Sequence, residues 1–287
     1  MNLKFYKEIT IVIVSYKSRE KVIHFAKKIP KKFKVIIIDN SKDLSLKKKL
    51  ELFKNIKVFL RENNGVSSAI NFAVKKINTK YFFQISPDLE FNFNKLIFFY
   101  NEAIKMNNKF SAIGPRYINV NKKSHKQSNI NKRVGYVEAI HGSAMFINKQ
   151  NFNNIGGFDE NFFLYFEENE FCKRGKKNGF YAYQLNDIEI KKLGETVEFN
   201  NNKKKQALSN LLSWHFVWSK YYFYKKYNGK IFSIIYFQPL LIRSILKFIF
   251  YYFFKNQNEF EKYKFRIKGL WTSITNKKSY LRINDIL

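Results

Sequence analysis

The first ninety residues alternate between short apolar runs and amphipathic stretches. Ile9-Thr-Ile-Val-Ile-Val-Ser15 and Val35-Ile-Ile-Ile38 are β-branched runs without polar alternation, the pattern of strands covered on both faces. Ile56–Leu60 and Tyr81–Ile85 read as two further strands. Between them the spacing predicts helices over Ser18–Lys28, stopped by Pro30, over Leu44–Phe53, and over Ser67–Ile77, introduced by Asn63-Asn64-Gly65. Strands and helices alternating at this interval predict βαβ units and an α/β fold with a mostly parallel central sheet. In such sheets ligands bind beyond the carboxyl ends of the strands, where Asp39 and Asp88 fall. Further on, Asn119–Lys132 is polar and aperiodic and reads as a mobile loop, and Val137–Ile147 holds further strand. A helix is expected from Glu167, ended by Asn178-Gly179.

Composition changes the picture after about Asn200. Residues 200–287 hold 17 Lys+Arg against 3 Asp+Glu, a net +14 of the chain's +31. We therefore expect two parts, 1–199 and a basic, aromatic, mainly helical extension over 200–287. The charge has two readings: a solvated surface in an Asn-, Lys-, Ile- and Phe-rich composition, or an anionic partner. Within the extension, Ile231–Phe254 is apolar but interrupted by Gln238, Pro239, Arg243 and Lys247. Pro239, Arg243 and Lys247 share one helical stripe, which suits a helix lying in a membrane interface. Trp214, Trp218, Tyr221 and Tyr222 add interfacial aromatics. The competing reading is a buried helix with its cations snorkelling outward. An anionic membrane surface fits this extension better than nucleic acid. The lone Cys172 excludes an intramolecular disulfide and a Cys-rich zinc site and suits a reducing compartment. Ile9–Val14 is too short for a secretory signal, so none is expected.

Three acidic positions carry candidate chemistry. Asp39 can accept a base N–H or simply close an Asx turn. Asp88, with Glu90 near it, can hold a hard divalent ion or cap a helix. Glu167, Glu168 and Glu170 can supply a general base, or favour a helix start, with Glu170 paired to Arg174 one turn on. Cys172 reads as core. The four histidines show no zinc spacing, and neither a Walker loop nor a dinucleotide fingerprint is present.

Taken in order, these segments resemble the inverting glycosyltransferases of family 2, in particular the rhamnosyltransferase-like branch, over about Ile9 to Thr196. The carriers are Ile11–Tyr16, Val35–Ser41, Asn63-Asn64-Gly65 through Asn71, Ser86-Pro87-Asp88, Gly142–Phe146, Gly156–Glu160 and Phe166–Arg174. The resemblance implies a GT-A nucleotide-binding sandwich. It also implies transfer of a sugar from a nucleoside-diphosphate sugar to an acceptor hydroxyl. Ser15, Asp39, Asn63, Gly65, Asn71, Asp88 and Lys192 would then serve the donor, with Asp88 on a divalent metal, Mg²⁺ or Mn²⁺. Glu168, with Glu167 as the alternative, would be the general base. Lys17 stands where the family has Asn, Ser86 replaces the Asn of Asn-Pro-Asp, Glu168 replaces Asp, and Lys192 replaces a late His. A lysine offsets diphosphate charge but does not ligate a metal when protonated. The expected product is a surface polysaccharide or lipid-linked glycan, made at the cytoplasmic membrane by a peripheral enzyme. The alternatives are a non-catalytic binding protein on a degenerate transferase fold and a sugar nucleotidyltransferase. The latter is opposed by the absence of a Gly-rich basic loop near the N-terminus.

Overall fold

The computed structural model describes residues 4–118, 127–194, 197, 199 and 201–286. These form two units: residues 1–159 with 167–198, and residues 160–166 with 199–287. The division falls between residues 198 and 199, and a short internal segment, 160–166, belongs with the C-terminal unit.

In the first unit, after a short helix α1 (Lys4–Glu8), the strands are β1 (Ile9–Ser15), β2 (Lys34–Asp39), β3 (Ile56–Leu60), β4 (Tyr81–Ile85), β5 (Leu89–Glu90), β6 (Phe110–Tyr117), β7 (Val134–Val137), β8 (Ala144–Asn148) and β9 (Tyr181–Lys192). The helices are α2 (Arg19–Lys27), α3 (Leu44–Leu50), α4 (Gly65–Lys76), α5 (Leu96–Lys105), α6 (Lys149–Ile155) and α7 (Glu167–Lys177). The sheet runs β3-β2-β1-β4-β8-β6-β9-β5, with β7 also on β9. Six of the nine described strands point the same way, and β8, β7 and β5 run against them. This is the mixed α/β, mostly parallel architecture that the chain's periodicity predicts.

The β-branched runs form strands because both faces are covered. Ile11 and Ile13 of β1, Val35 and Ile37 of β2 and Phe83 of β4 enter one apolar cluster. Their neighbours Val12, Ile36, Ile38 and Phe82 enter the other. Period-two alternation thus divides each strand between two cores rather than between core and water. The stretch Val137–Ile147 is not one strand. β7 ends at Val137, β8 begins at Ala144, and the turn between them carries His141-Gly142-Ser143. The polar stretch expected to be mobile falls partly, at 119–126, outside the described residues. Its remainder is tied down: the Asn186 side-chain amide donates to Ser128 Oγ and Asn129 O, both at 2.9 Å, and to Lys132 O at 2.6 Å.

The second unit contains α8 (Asn202–Asn228), α9 (Lys230–Phe253) and α10 (Gln257–Ile274). Pro239 sits inside α9 without ending it. Trp214, Val217, Trp218, Tyr221, Phe237 and Leu270 are buried at the centre. His215 is part of this core. Its Nε2–H donates to Leu281 O, its Nδ1 accepts from Ser279 Oγ, both at 2.9 Å, and burial pulls its pKa down to about 3. The internal segment joins through Phe163, stacked on His215 at 4.6 Å, and through Leu164 O, which accepts from Ser219 Oγ at 2.7 Å.

Gly269 marks where α10 crosses α8. A Cβ there would lie 2.5 Å from the Trp214 carbonyl oxygen, a backbone atom that cannot swing away. In an open helix, Gly→Ala gains about 0.5–1 kcal/mol, whereas forced overpacking costs about 1–3 kcal/mol. Gly269→Ala is therefore expected to lower the melting temperature, measured by circular dichroism, despite alanine's better helix propensity.

Candidate active site

Strand polarity decides where polar groups surface. β1 and β2 are parallel with Ser15 opposite Asp39, so both reach the same sheet edge. The Asn40 N–H donates to Ser15 O at 2.8 Å, and Arg61 N, following β3, donates to Asp39 O at 2.9 Å. Asn63 Oδ1 lies 3.4 Å from Asn40 Nδ2 and accepts the Gly65 N–H at 3.3 Å. Gly65 itself has φ +91°, a backbone state that disfavours side chains. The structure thus gathers Ser15, Asp39, Asn63 and Gly65. Asp39 is fully buried, and its carboxylate accepts from Ser41 Oγ (2.8 Å) and Asp43 N (2.7 Å). Its observed work is closing the 39–43 loop, the local reading of an Asp at a strand end, and lone pairs remain on both oxygens.

A second group forms because β8 runs antiparallel to β4. The carboxyl end of β4 meets the amino end of β8, so the Ser86-Pro87-Asp88 turn lies beside His141-Gly142-Ser143. Ser86 N donates to Ser143 O at 2.8 Å. Asp88 is buried, while Glu90 is exposed. β5 pairs with the end of β9, setting Leu89 opposite Lys192, and Lys192 Nζ lies 3.6 Å from Asp88 Oδ2. Asp88 Oδ1 is buried without a protein partner. That orphaned oxygen suits a hard cation. No cluster of three or more His, Cys, Asp or Glu occurs among the described residues, so a metal here would take its other ligands from diphosphate and water, as Mg²⁺ commonly does.

The acidic helix start completes this group. Glu167 is buried. Glu168 is partly exposed as a residue, yet its Oε2, like that of Glu167, is buried and unpartnered. Gly142 packs against both: a Cβ there would sit 3.5 Å from Glu168 Cδ and 3.8 Å from Glu167 Oε1. Burial raises both carboxyl pKa values. Glu168 is pushed up to about 7, against hydrogen bonds from its own and Gly142's N–H groups. Glu167 is raised well above the usual range by burial and then by the Glu168 charge. Two adjacent buried carboxyls share a tendency to keep one proton, and the Gly142 N–H favours ionisation at Glu168.

Glu170 plays a different part. Fully buried, it receives Arg174 Nε and Nη2 at 2.7 Å each. The same guanidinium donates to Ile155 O and Gly157 O. Asn71 is likewise committed: its amide donates to Phe158 O and accepts from Phe158 N, both at 2.9 Å. It clamps the Gly156-Gly157-Phe158 turn, where Gly157 has φ +67° and a Cβ would lie 3.0 Å from Asn71 Oδ1. Cys172 is core, its thiol pushed up to about 12 by burial.

The chain's periodicity did not reveal Tyr117, at the end of β6. Its hydroxyl hydrogen-bonds Ser143 Oγ at 2.6 Å, and Ser143 Oγ in turn bonds His141 Nδ1 at 2.8 Å. Burial raises the Tyr117 phenol strongly. Its hydrogen bond to Ser143 opposes the rise, and the charges of Asp88 and Glu168 add to it. Asp88 and Glu168 flank this same turn, the first through the Ser86–Ser143 bond and the second through Gly142. The only sequence signal was a polar triplet, His-Gly-Ser, ahead of an apolar run.

Comparison with known proteins gives a consistent picture. A hexosyltransferase of low-salt glycan biosynthesis, Agl10 of Haloferax volcanii, is 27% identical over 204 residues, 63% of this chain and 66% of that protein. An uncharacterised glycosyltransferase of Rickettsia typhi is 28% identical over 139 residues, 44% of either chain. The chain thus spans less than two thirds of these relatives. Among solved structures, the mannosyltransferase PcManGT of Pyrobaculum calidifontis, in complex with GDP-Man and Mn²⁺, superposes with a TM-score of 0.59 at 11% identity, covering 94% of this chain and 88% of that one. Residues 1–349 of S. aureus TarS with UDP-GlcNAc give 0.54 at 13% identity, covering 96% and 93%. At such identity these likenesses establish the GT-A-like fold alone. The family model for glycosyl transferase family 2 matches residues 10–171, more than half of the chain, and the protein is a member of that family of glycosyltransferases.

Proposed function

We propose that the protein is an inverting glycosyltransferase that moves a hexosyl or deoxyhexosyl group from a nucleoside-diphosphate sugar to an acceptor hydroxyl of a glycan or lipid-linked glycan. The observation that carries this reading is that the 141–143 turn lies between the two acids: Ser143 O accepts from Ser86 N beside the buried Asp88, and Gly142 packs on Glu168 at the α7 start. One anionic group suits the leaving diphosphate, and the other suits an attacking alcohol. The names of similar proteins, which bind GDP-Man or UDP-GlcNAc, support a nucleotide-sugar donor.

Glu168 accepts the acceptor's proton as its oxygen attacks the anomeric carbon. The bond to diphosphate breaks in the same displacement, and the anomeric configuration inverts. A base near pKa 7 is well matched to this step, because it is ionised in useful amount at neutral pH yet basic enough to draw the proton. Glu167 keeps the shared proton of the pair. Lys192 and Asp88 face the diphosphate. A divalent ion held at Asp88 Oδ1 would supply further charge compensation to the leaving group. Ser15, Asp39, Asn63 and Gly65 line the nucleotide end, and Asn71 positions the acceptor-side turn. A non-catalytic binding protein would gain nothing from a carboxyl pair with buried, unpartnered oxygens, because burial without compensation costs stability.

Glu168→Gln is expected to lower the transfer rate by about 10²–10⁴-fold with donor affinity little changed, and Glu168→Asp to retain partial activity. Wild-type kcat should rise with pH through about 7 as the base ionises. Stability moves oppositely. The folded-state pKa of Glu168 is raised, so its contribution is full at pH values below the ordinary carboxylate range and is lost as pH climbs through about 7. Glu168→Gln should therefore melt above the wild type at pH 8. A wild-type transfer rate in Glu168→Gln, with Glu167→Gln inactive, would move the base to Glu167.

Asp88→Asn is expected to abolish transfer without a large change in melting temperature. Chelator should inhibit the wild type, and Mn²⁺ or Mg²⁺ should restore it. Full activity in excess chelator would leave the diphosphate charge to Lys192.

A further inference from the structure

Helix α9 is apolar on two faces. The seam it turns toward α8 and α10 includes Ser233, Phe237 and Ser244, all buried, and the half-buried Lys247 and Tyr251. The two serines satisfy their hydroxyls on Gly229 O (2.8 Å) and Leu240 O (2.7 Å), and Lys247 Nζ bonds Tyr263 Oη at 3.1 Å. The opposite stripe holds Ile231, Ile235, Ile242, Leu246, Ile249 and Phe253, each between 45% (Ile249) and 77% (Ile231) exposed. Ile234, Phe237, Leu240 and Leu241 pack inward beside the serines, so the helix is apolar on its outer face as well as its inner one, as in helices packed under lipid. A contiguous apolar face of this extent marks an interaction surface. Only 17% of the apolar window of α9 is covered.

Length and composition alone would let α9 cross a bilayer, since 24 residues reach about 36 Å against a hydrocarbon core of about 30 Å. Its neighbour forbids this. α10 runs antiparallel along most of α9, from the Phe237–Leu270 cluster to the Phe248–Phe260 stack at 4.6 Å. Between those contacts α10 carries Glu261, Lys262, Lys264, Arg266 and Lys268. Taking α9 across would draw these charges to bilayer depth, where each is strongly unfavourable. Lys230 opens α9 and Lys255 follows it, Arg243 is exposed near its middle, and residues 200–287 carry net +14. We infer that α9 docks in the plane of an anionic lipid surface, its outward stripe immersed among the acyl chains and its cations among the headgroups.

Flotation of the full chain with vesicles tests this independently of any transfer activity. Binding to phosphatidylcholine vesicles containing phosphatidylglycerol is expected, with weaker binding to phosphatidylcholine alone and partial release by high salt. Ile242→Glu with Leu246→Glu should weaken binding by roughly tenfold or more while circular dichroism stays unchanged, since both side chains already face outward. Because Cys172 is buried, nitroxides can be attached at single cysteines placed at 235, 242, 249 and 253. Equal immersion depth at all four sites is the expected result. Depth graded from 235 to 253 would mean that the helix spans, and would overturn the proposal. So would absence of vesicle binding, including the case where spin–spin coupling shows a second copy of the chain covering the stripe.

Discussion

A sheet covered on both faces leaves polar chemistry nowhere to go but its ends, and the site depends on this constraint. Phe82 and Phe83, adjacent on β4, are both fully buried in different cores, so no residue along that strand can face water. The first polar groups after it are Ser86 and Asp88. The antiparallel step from β4 to β8 then turns an edge into a site, because it sets the exit of one strand against the entrance of the other. Had β8 run parallel, His141-Gly142-Ser143 would lie at the far end of the sheet. The Ser86–Ser143 bond and the Tyr117–Ser143–His141 chain fix the two turns to each other.

Within this scaffold the carboxyl pair is a balance of opposed effects. Burial resists charge on Glu167 and Glu168, whereas the start of α7 and the Gly142 N–H favour it. The α-carbon of Gly142 faces both carboxyl groups, at a distance where a Cβ would meet them in ordinary contact. The result is a carboxyl group poised near neutrality instead of one fixed in either state. Glu170, three residues along the same helix, shows the other outcome: with Arg174 one turn away it becomes a structural ion pair.

Much of this was legible in the residues, and the remainder was not for identifiable reasons. β1 to β4 were readable because a strand buried on both faces is a continuous apolar run. β6, Phe110–Tyr117, contains Gly114, Pro115 and Arg116, and β9 mixes Gln184, Asn186 and Asp187 into a twelve-residue strand whose ladder with β6 has register shifts, so neither gives a clean period. Tyr117 was missed with its strand. Glu160–Phe166 could not be assigned locally, since Phe163 finds its partner in His215, fifty-two positions on. The nearness of Lys192 to Asp88 was suggested only by family resemblance, because it arises from the pairing of a two-residue strand with the end of a long one. The loop-closing role of Asp39 was legible from local chemistry alone.

The Arg174 guanidinium serves Glu170 on its own helix and two carbonyls, Ile155 and Gly157, at the end of α6. Asn71 of α4 grips the next residue, Phe158, from the other side. Neither helix α7 nor the double-glycine turn can loosen alone without stranding buried donors and acceptors, and such stranding is expensive. These pieces consequently open and close as one cooperative element. Their amide protons are expected to exchange with solvent together, and the helix that carries the carboxyl pair is braced by a turn that bears no carboxyl group.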